Sequence, residues 1–247
     1  MANSFFNTAM LGASGEIPTI TQVNTNSDAS SLTSNTFTFT GIGGSGGDIP
    51  KGTFIVVVLT AQPDIASVTG TWTSLVDAAG NSYTEAVEGS QEGNSQTFSA
   101  IYYSKISNDL PRSTQFTATS SRSDGSNIYQ DSKIFRTFIL TGVNDLDNVQ
   151  AEAQSNRTDH TNSAITSRGK GIAIFALSTS VSRKFHSLTN DFINQSNPSD
   201  YNPCSVCVVK VLNENAGTSV SCTVTLSTLP GNSARNARTA SLFATFK

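Results

Sequence analysis

The chain has 247 residues, a formal net charge of −3 and 13% charged residues, which is about half the usual share in a soluble domain. This length can hold one large all-β domain or two small ones, and a near-neutral chain without a block of Lys and Arg attracts nucleic acid weakly. The longest apolar run, residues 54–59, is far shorter than the about 20 residues that cross a bilayer. We therefore expect neither nucleic acid nor membrane as a partner.

Residues 1–35 differ in composition from the rest of the chain. No basic residues open the segment, and Asn7 and Thr8 interrupt its apolar stretch, so it lacks the pattern of a secretory signal. Residues 25–31 are poor in hydrophobic side chains, which is typical of an extended arm. The apolar residues that could dock this arm on another surface are Phe5, Phe6, Met10, Leu11, Ile17 and Ile20. We predict an N-terminal arm over residues 1–35.

The glycine-rich stretch Gly41-Ile42-Gly43-Gly44-Ser45-Gly46-Gly47 follows the alternating segment Thr36 to Thr40. It matches GxGxxG of dinucleotide-binding folds and GxSxG of hydrolases. Both patterns require a helix directly after the loop, either to hold a phosphate or to present the Ser45 hydroxyl. The strand-like run Thr53 to Ala61 follows instead, so we expect a surface connection whose glycines adopt positive φ. A hydrolase centred on Ser45 is the enzymatic alternative.

The periodic segments are short, rich in β-branched and aromatic residues, and bounded by turn residues. About a dozen such segments predict an all-β fold, an antiparallel β-sandwich that is jelly-roll-like, over residues 36–247. The run 54–59 is apolar on both faces, which predicts a central strand covered by a loop, the arm or a neighbouring subunit. The nearest approach to a helix is Ser187 to Gln195, and no internal repeat is visible. The predicted strands are Thr36 to Thr40, Thr53 to Ala61, Ile65 to Thr73, Asn81 to Val87, Gln96 to Lys105, Ser113 to Ser120, Ile134 to Thr141, Val149 to Ser155, Gly171 to Ser178, Cys204 to Leu212, Ser219 to Thr228 and Ala240 to Phe246.

Three cysteines and two histidines are the candidate metal ligands and nucleophiles. A zinc site would use Cys204, Cys207, Cys222 and His186, but residues three apart on a strand point to opposite faces. A hairpin after this strand would instead place Cys207 opposite Cys222 as a pair of buried thiols. His160 and His186 fall in segments that we expect to be exposed loops.

Two further groups of residues have both a binding and a structural interpretation. The loop Asn144-Asp145-Leu146-Asp147-Asn148 clusters oxygen atoms that could hold calcium, although Asp and Asn also favour turns by bonding to their own backbone. Trp72, Tyr83, Tyr129 and Tyr201 lie near strand ends, where they could stack on sugar rings or pack at the rim of the core. Tyr102 and Tyr103 are adjacent on a strand, so one faces the core and the other the outside. We assign no catalytic, cofactor-binding or metal-binding residue.

The order of several short motifs resembles a sandwich domain of bacteriophage structural proteins and bacterial surface proteins. The motifs are Gly47-Asp48 before an all-apolar strand, Leu75 to Thr84 (LVDAAGNSYT), Ala100 to Lys105 (AIYYSK), Phe138 to Val143, Gly171 to Ala176 and Ser241 to Phe246. The resemblance covers roughly residues 36–247, and the insertion Ile49-Pro50-Lys51-Gly52 departs from it by lengthening one loop. It implies a structural or adhesive role and has no catalytic residues to carry over.

These features together predict a non-enzymatic bacteriophage virion protein without a cofactor. We expect a capsid decoration or cement protein, assembled in the host cytoplasm, that binds the major capsid protein or other virion proteins and forms a homo-oligomer, expected to be a trimer. The alternative is a tail or fibre protein that binds a host-surface glycan.

Overall fold

The computed structural model describes residues 17–28, 32–33, 35–42, 47–63, 70–91, 97–123, 129–155, 159–179, 183–194, 205–213, 215–228 and 238–247. Within these ranges the chain forms antiparallel strands and no helix, so none could cross a membrane. The strands are β1 Thr19–Asp28, β2 Leu32–Thr33, β3 Thr36–Thr40, β4 Phe54–Pro63, β5 Gly70–Asp77, β6 Thr84–Gln91, β7 Thr97–Lys105, β8 Gln115–Arg122, β9 Tyr129–Thr141, β10 Leu146–Ser155, β11 Asp159–Thr161, β12 Ile165–Thr166, β13 Gly171–Thr179, β14 Arg183–Leu188, β15 Ile193–Asn194, β16 Ser205–Leu212, β17 Ser219–Val220, β18 Thr223–Thr228 and β19 Arg238–Phe246. The sheets pack face to face, which confirms the predicted all-β sandwich.

The strands build two sandwiches with the same strand order. The first inner sheet has the order β1-β9-β4-β7-β6 and is covered by the first outer sheet, β3-β8-β5. The second inner sheet has the order β10-β19-β13-β16-β15 and is covered by a second outer layer, made of β11-β18-β14 and β12-β17. Each strand of the first inner sheet thus has a counterpart at the same position in the second. The sequence, which predicted one sandwich over residues 36–247, does not reveal this repeat, because the halves share a pattern of strands rather than of residues.

The two inner sheets pack against each other and explain why β4 is apolar on both faces. Its residues Ile55, Val57 and Leu59 belong to the core of the first sandwich, whereas Phe54, Val56 and Val58 belong to a core between the inner sheets. The buried strand β13 contributes to this middle core and to a third core inside the second sandwich. The outer side of β4 is therefore covered by the second half of the same chain, and not by a loop, the arm or a neighbouring subunit as predicted.

The N-terminal segment contains two strands that the sequence did not predict, β1 and the short β2. Within the predicted arm, β1 pairs with β9 from Thr19 opposite Thr141 to Asp28 opposite Lys133. This corrects the extent of the arm, and the reason is that an edge strand is held by backbone hydrogen bonds, for which an apolar sequence is not needed. Residues 1–16 lie outside the described part of the chain. The weak helical pattern of Ser187 to Gln195 is replaced by the end of β14, a turn and β15.

Candidate functional site

The glycine-rich stretch connects two strands, as its sequence context predicts. Gly41 and Ile42 follow β3, and residues 47–53 lead into β4 through a single bridge, Ile49 opposite Leu110, and a turn. Ser45 and its neighbouring glycines lie outside the described residues. The described flanks therefore lack the helix that a dinucleotide site or a nucleophile elbow would require.

Gly41 is required by a close contact rather than by its backbone angle. A Cβ atom at this position would lie 1.9 Å from the ring of Phe116. The N–H of Gly41 donates to the carbonyl of Thr114 at 3.2 Å, and the N–H of Ser113 donates to the carbonyl of Ile42 at 3.0 Å. Neither Gly41 nor Gly47 has positive φ, which corrects the expectation for the described ends of this loop.

The predicted thiol pair does not form. Cys207 lies on β16 in the core between the inner sheets, whereas Cys222 lies in the core of the second sandwich. The hairpin prediction was wrong because β16 pairs with β13 and β15. Burial raises the pKa of each of these thiols to about 12, although a nearby Arg136 partly opposes this at Cys207. Both thiols are consequently protonated and unreactive at neutral pH.

The side chains of the other candidate zinc ligands, Cys204 and His186, lie outside the described part of the structure. Cys204 is not among the described residues, and only the backbones of His160 on β11 and His186 on β14 are described. These two strand positions correct the expectation that both histidines lie in loops. Among the described residues, no group of three or more His, Cys, Asp or Glu side chains could hold a metal ion.

The predicted loop from Asn144 to Asn148 is shorter than expected, because β10 begins at Leu146, and its side-chain oxygens accept hydrogen bonds from the chain itself. The Asp145 carboxylate accepts the N–H of Leu146 at 2.8 Å, and the Asn148 side chain accepts the N–H of Val149 at 2.9 Å. These two side chains thus bond to the backbone of the next residue, which is the use of Asp and Asn that was the alternative to calcium.

Asp147, at the start of β10, has a buried carboxylate that bonds to β19 and to the residues just before β13. One carboxylate oxygen accepts both the N–H of Arg168 at 3.0 Å and the hydroxyl of Thr245 at 3.2 Å. The other oxygen accepts no hydrogen bond from the described residues and faces the side-chain nitrogens of Arg168 and Lys247 at 3.6 and 3.9 Å. This carboxylate therefore faces protein donors and cations of its own chain rather than a site for an external ion.

The aromatic residues proposed as sugar platforms pack in the core where their side chains are described. Trp72 and Tyr83 are 1% and 8% exposed. Tyr102 faces the first core, and Tyr103 packs against the core between the inner sheets. The side chains of Tyr129 and Tyr201 lie outside the described part of the chain. The described aromatic side chains thus give no support to stacking on a glycan.

A buried hydrogen-bonded cluster lies where β5 ends, and the sequence did not single it out as a site. We call Asp77, Asn81, Tyr83 and their partners at residues 107–108 the Asp77 cluster. One carboxylate oxygen of Asp77 accepts the N–H groups of Ala79 at 2.9 Å and Asn81 at 3.0 Å. The other accepts the side-chain amide of Asn81 and the hydroxyl of Tyr83, both at 3.0 Å. The spacing D-x-x-G-N-x-Y in LVDAAGNSYT is the signal that could have revealed it.

Asn81 extends the Asp77 cluster to the end of β7. Its side-chain oxygen accepts the N–H groups of Ser107 at 2.9 Å and Asn108 at 2.8 Å. Burial first, and then the charge of Asp77, raise the pKa of the Tyr83 hydroxyl well above its ordinary value, so this hydroxyl remains a donor. Because its polar groups bond to one another, the Asp77 cluster is a structural tie between two loops rather than a site for a substrate.

A second acidic group links the first inner and outer sheets. The N–H of Trp72, at a bulge in β5, donates to the carboxylate of Glu88 on β6 at 2.6 Å. The hydroxyl of Tyr102 lies 3.4 Å from the carboxylate of Glu85. Burial raises the pKa of Glu88 to about 7, and the charge of Glu85 adds to this effect, whereas the bond from Trp72 opposes it.

Replacing Glu88 by glutamine is expected to stabilise the fold at alkaline pH. Because the folded pKa of Glu88 lies above its ordinary value, the favourable contribution is complete at low pH and is lost as pH rises through about 7. Glutamine stays neutral and still accepts the N–H of Trp72. We expect a gain of about 1 kcal/mol at pH 8.5, reduced from the full shift because the carboxylate is partly exposed, and no gain at pH 4. Urea unfolding at both pH values measures it.

Glu152 on β10 provides a control of opposite sign. Burial alone would raise its pKa, but hydrogen bonds from Ser163 and Gln154 lower the pKa below its ordinary value. Glu152→Gln should therefore lower stability at neutral pH, with the loss fading as the solution is acidified. If Glu88→Gln also lowered stability at pH 8.5, the proposed effect of burial on Glu88 would be wrong.

The outer face of the first outer sheet is uncharged and rich in hydroxyl groups. We call it the hydroxyl face and define it by the outward side chains of Thr36, Thr38 and Thr40 on β3, Thr71, Thr73, Ser74 and Val76 on β5, and Gln115, Thr117, Thr119 and Ser121 on β8. Asp77 and Arg122, which belong to the same strands, are 6% and 8% exposed. The hydroxyl face thus presents no charged side chain.

The fold and these side chains define a class, an all-β protein of two stacked jelly-roll-like sandwiches whose described polar clusters tie the fold together. No protein-family model matches the chain, and no curated protein matches its sequence.

Proposed function

We propose that this chain is a non-enzymatic structural protein of a bacteriophage virion, a capsid decoration or cement protein that binds the shell. The observation that carries the proposal is the stack of two jelly-roll-like sandwiches with a shared core between their inner sheets. Jelly rolls recur in viral capsid and lectin domains. Because one fold serves many functions, the surfaces must supply the rest of the support.

One feature of the surface and one of the sequence support a role in assembly. The hydroxyl face is broad and uncharged, so it can approach another protein without removing charged groups from water. The predicted arm precedes β1, the edge strand of the first inner sheet, and its apolar residues at positions 5, 6, 10 and 11 suit an attachment to the major capsid protein or another virion protein. In this proposal the protein acts as an oligomer on the particle, and a trimer is the expected state.

The location and copy number on purified particles test the proposal. We expect the chain to copurify with capsids at a stoichiometry comparable to that of the shell protein and to be distributed over the shell in electron micrographs. Location in a few copies at the tail would contradict a decoration role and favour the tail or fibre alternative, which a glycan array would then examine.

Two truncations separate attachment from folding. Deleting residues 1–16 leaves all described strands intact, so we expect an unchanged Tm and a large loss of binding to capsids that lack the protein. Deleting residues 1–28 also removes β1, which pairs with β9 along its length, and should lower the Tm as well. Full binding of the shorter truncation would show that the arm is not the anchor.

A further inference from the structure

Two β-bulges face each other where the first outer sheet meets the edge of the first inner sheet. The register of β6 shifts just after Glu85, and that of β5 shifts just after Trp72. Residues three apart on a regular strand point to opposite faces, so the extra residue in β6 turns Glu85 and Glu88 to the same face. Tyr102 opposite Glu85 and Ala100 opposite Glu88 belong to the core of the first sandwich. Both carboxyl groups are therefore directed towards the outer sheet.

Side chains of the inner sheet hold the backbone of Trp72 at the bulge of β5. The N–H of Trp72 donates to the carboxylate of Glu88 at 2.6 Å, and its carbonyl accepts the hydroxyl of Tyr102 at 3.1 Å. The same hydroxyl lies 3.4 Å from the carboxylate of Glu85. Because β5 is the edge strand of the outer sheet, these side chains take the place of a neighbouring strand. We call Trp72, Glu85, Glu88 and Tyr102 the β5–β6 junction.

The β5–β6 junction contains two carboxyl groups, and no Lys or Arg side chain of the described residues bonds to either of them. The strands packed against β6 are β5, β7, β10 and β19. On the side of the carboxyl groups, β5 contributes the N–H of Trp72 and the hydroxyl of Thr71, and β7 contributes the hydroxyl of Tyr102. The strands β10 and β19 pack against the opposite face of β6. Glu85 and Tyr102 are thus the titratable groups that face Glu88.

We propose that the β5–β6 junction is a pH-sensitive latch, which holds the free edge of the first outer sheet closed in acid and releases it when both carboxyl groups are ionised. Two like charges in a partly buried site repel each other, and water solvates each of them better than the junction does. Ionised Glu88 therefore gains by turning towards solvent, and this movement breaks its hydrogen bond with Trp72. The edge of β5 then opens locally while the cores remain packed.

The direction of the pH effect follows from the raised pKa of Glu88. Burial and the charge of Glu85 raise this pKa to about 7 in the closed junction, whereas a solvated glutamate in the open junction has its ordinary, lower pKa. The closed junction binds the proton more tightly, so closure is complete in acid and opening increases as the pH rises towards about 7. Because Glu88 is partly exposed, we expect only about a tenfold rise in the open population between pH 5 and pH 8.

The side chain of Trp72 limits the extent of this opening. Its ring packs against Phe37, Phe98 and Phe135, with centroid separations of 5.9, 5.2 and 6.0 Å. Because the side chain of Trp72 is only 1% exposed, its removal from the core would cost far more than the loss of one backbone hydrogen bond. The opening is therefore confined to the backbone at the bulge and to the side chain of Glu88.

Hydrogen exchange of the Trp72 N–H in the full chain measures the opening, because a bonded amide exchanges only when its hydrogen bond is broken. Its protection, corrected for the intrinsic pH dependence of exchange, should fall about tenfold from pH 5 to pH 8. Low concentrations of urea should leave this exchange unchanged, since local opening exposes little surface. The N–H of Val57, fully buried on the central strand β4, should be better protected and should respond steeply to urea.

Three variants assign the pH dependence to the carboxyl groups of the junction. Glu88→Gln stays neutral and still accepts the N–H of Trp72, so its protection should be the same at both pH values. Glu85→Gln removes the repulsion and should make the change smaller than in the wild type. Asp109→Asn alters an exposed carboxylate that bonds to the N–H of Lys51 outside the junction, and it should behave as the wild type does.

The outcomes separate a local latch from a change in overall stability. A loss of Trp72 protection that Glu88→Gln abolishes and Asp109→Asn retains would support the latch. Equal protection and equal urea dependence of Trp72 and Val57 would show that the edge of β5 does not open on its own, and would overturn the proposal. The same pH dependence in Glu88→Gln as in the wild type would also overturn it. The experiment uses the purified chain, so its result is independent of the proposed function.

Discussion

Replacing Asp77 by alanine is expected to lower the free energy of unfolding by about 4 kcal/mol. The carboxylate accepts hydrogen bonds from two N–H groups, the Asn81 amide and the Tyr83 hydroxyl. Asn81 is 2% exposed and Tyr83 is 8% exposed, so water cannot replace the lost acceptor at these donors. Each buried donor left without a partner costs about 1–3 kcal/mol. Urea denaturation of the variant and the wild type measures the total change in the free energy of unfolding.

Two further variants show whether the loss comes from the buried cluster. Tyr83→Phe removes one donor and leaves the others paired, so we expect a loss of about 1 kcal/mol. Asp109→Ala removes an exposed carboxylate that accepts one N–H, from Lys51 at 2.8 Å, and should change stability by less than about 0.5 kcal/mol. If Asp77→Ala were as mild as Asp109→Ala, the Asp77 cluster would not be the structural tie proposed above.

The second large effect is expected at Gly41. Gly41→Ala would place a methyl group 1.9 Å from the ring of Phe116, which is fully buried. The ring packs against Phe39 and Tyr83, with centroid separations of 5.6 and 5.4 Å, so relief requires movement of the core. We expect a loss of about 3 kcal/mol, at the upper end of the usual cost of overpacking.

Gly47, at the other end of the same loop, is the matched control. A Cβ atom there would meet nothing within 4 Å, so Gly47→Ala should change stability by less than about 0.5 kcal/mol. In a background with Phe116→Leu, the cost of Gly41→Ala should fall, and the double-mutant cycle measures the coupling. Equal effects at both glycines would show that contact with Phe116 is not the reason for glycine at position 41.

The positions of most core strands could be predicted from the sequence, whereas β1, β2, β11, β12, β14 and β15 were missed and the pairing partners could not be predicted. The alternation of Thr36 to Thr40 gave β3 with its correct bounds, and each other predicted strand overlaps an observed one. The pairing of Cys207 with Cys222 failed because it assumed that strands adjacent in the chain are adjacent in the sheet. In a jelly-roll-like order the neighbours come from distant parts of the chain, as when β19 pairs with β10 and β13.

The Asp77 cluster likewise has a part that the sequence predicts, the turn, and a part that it does not, the bonded loop. The turn residues of LVDAAGNSYT are visible in the sequence, and Gly80 does adopt a φ of 84°. The sequence does not indicate which loop these turn residues bond to, because the partners of Asn81, Ser107 and Asn108, lie 26 and 27 residues after it in the chain. The contact forms only because β7 ends beside the turn. The burial of Lys133 could not be predicted from the sequence at all. Its side chain is fully buried, with the ammonium group 4.6 Å from the centre of the Phe37 ring. A lysine in a strand otherwise predicts an exposed position.

The sequence by itself determined the fold class and the alternation of buried and exposed positions, because both follow from local side-chain periodicity. Only the tertiary structure decided that there are two sandwiches with the same strand order, that the second covers β4, and that residues 19–28 complete a sheet. These features depend on long-range backbone pairing and on which apolar faces pack together. The residues of a hydrophobic face do not indicate which other face it will pack against. The same limit explains why the hydroxyl face, assembled from β3, β5 and β8, emerged only when these strands were placed side by side.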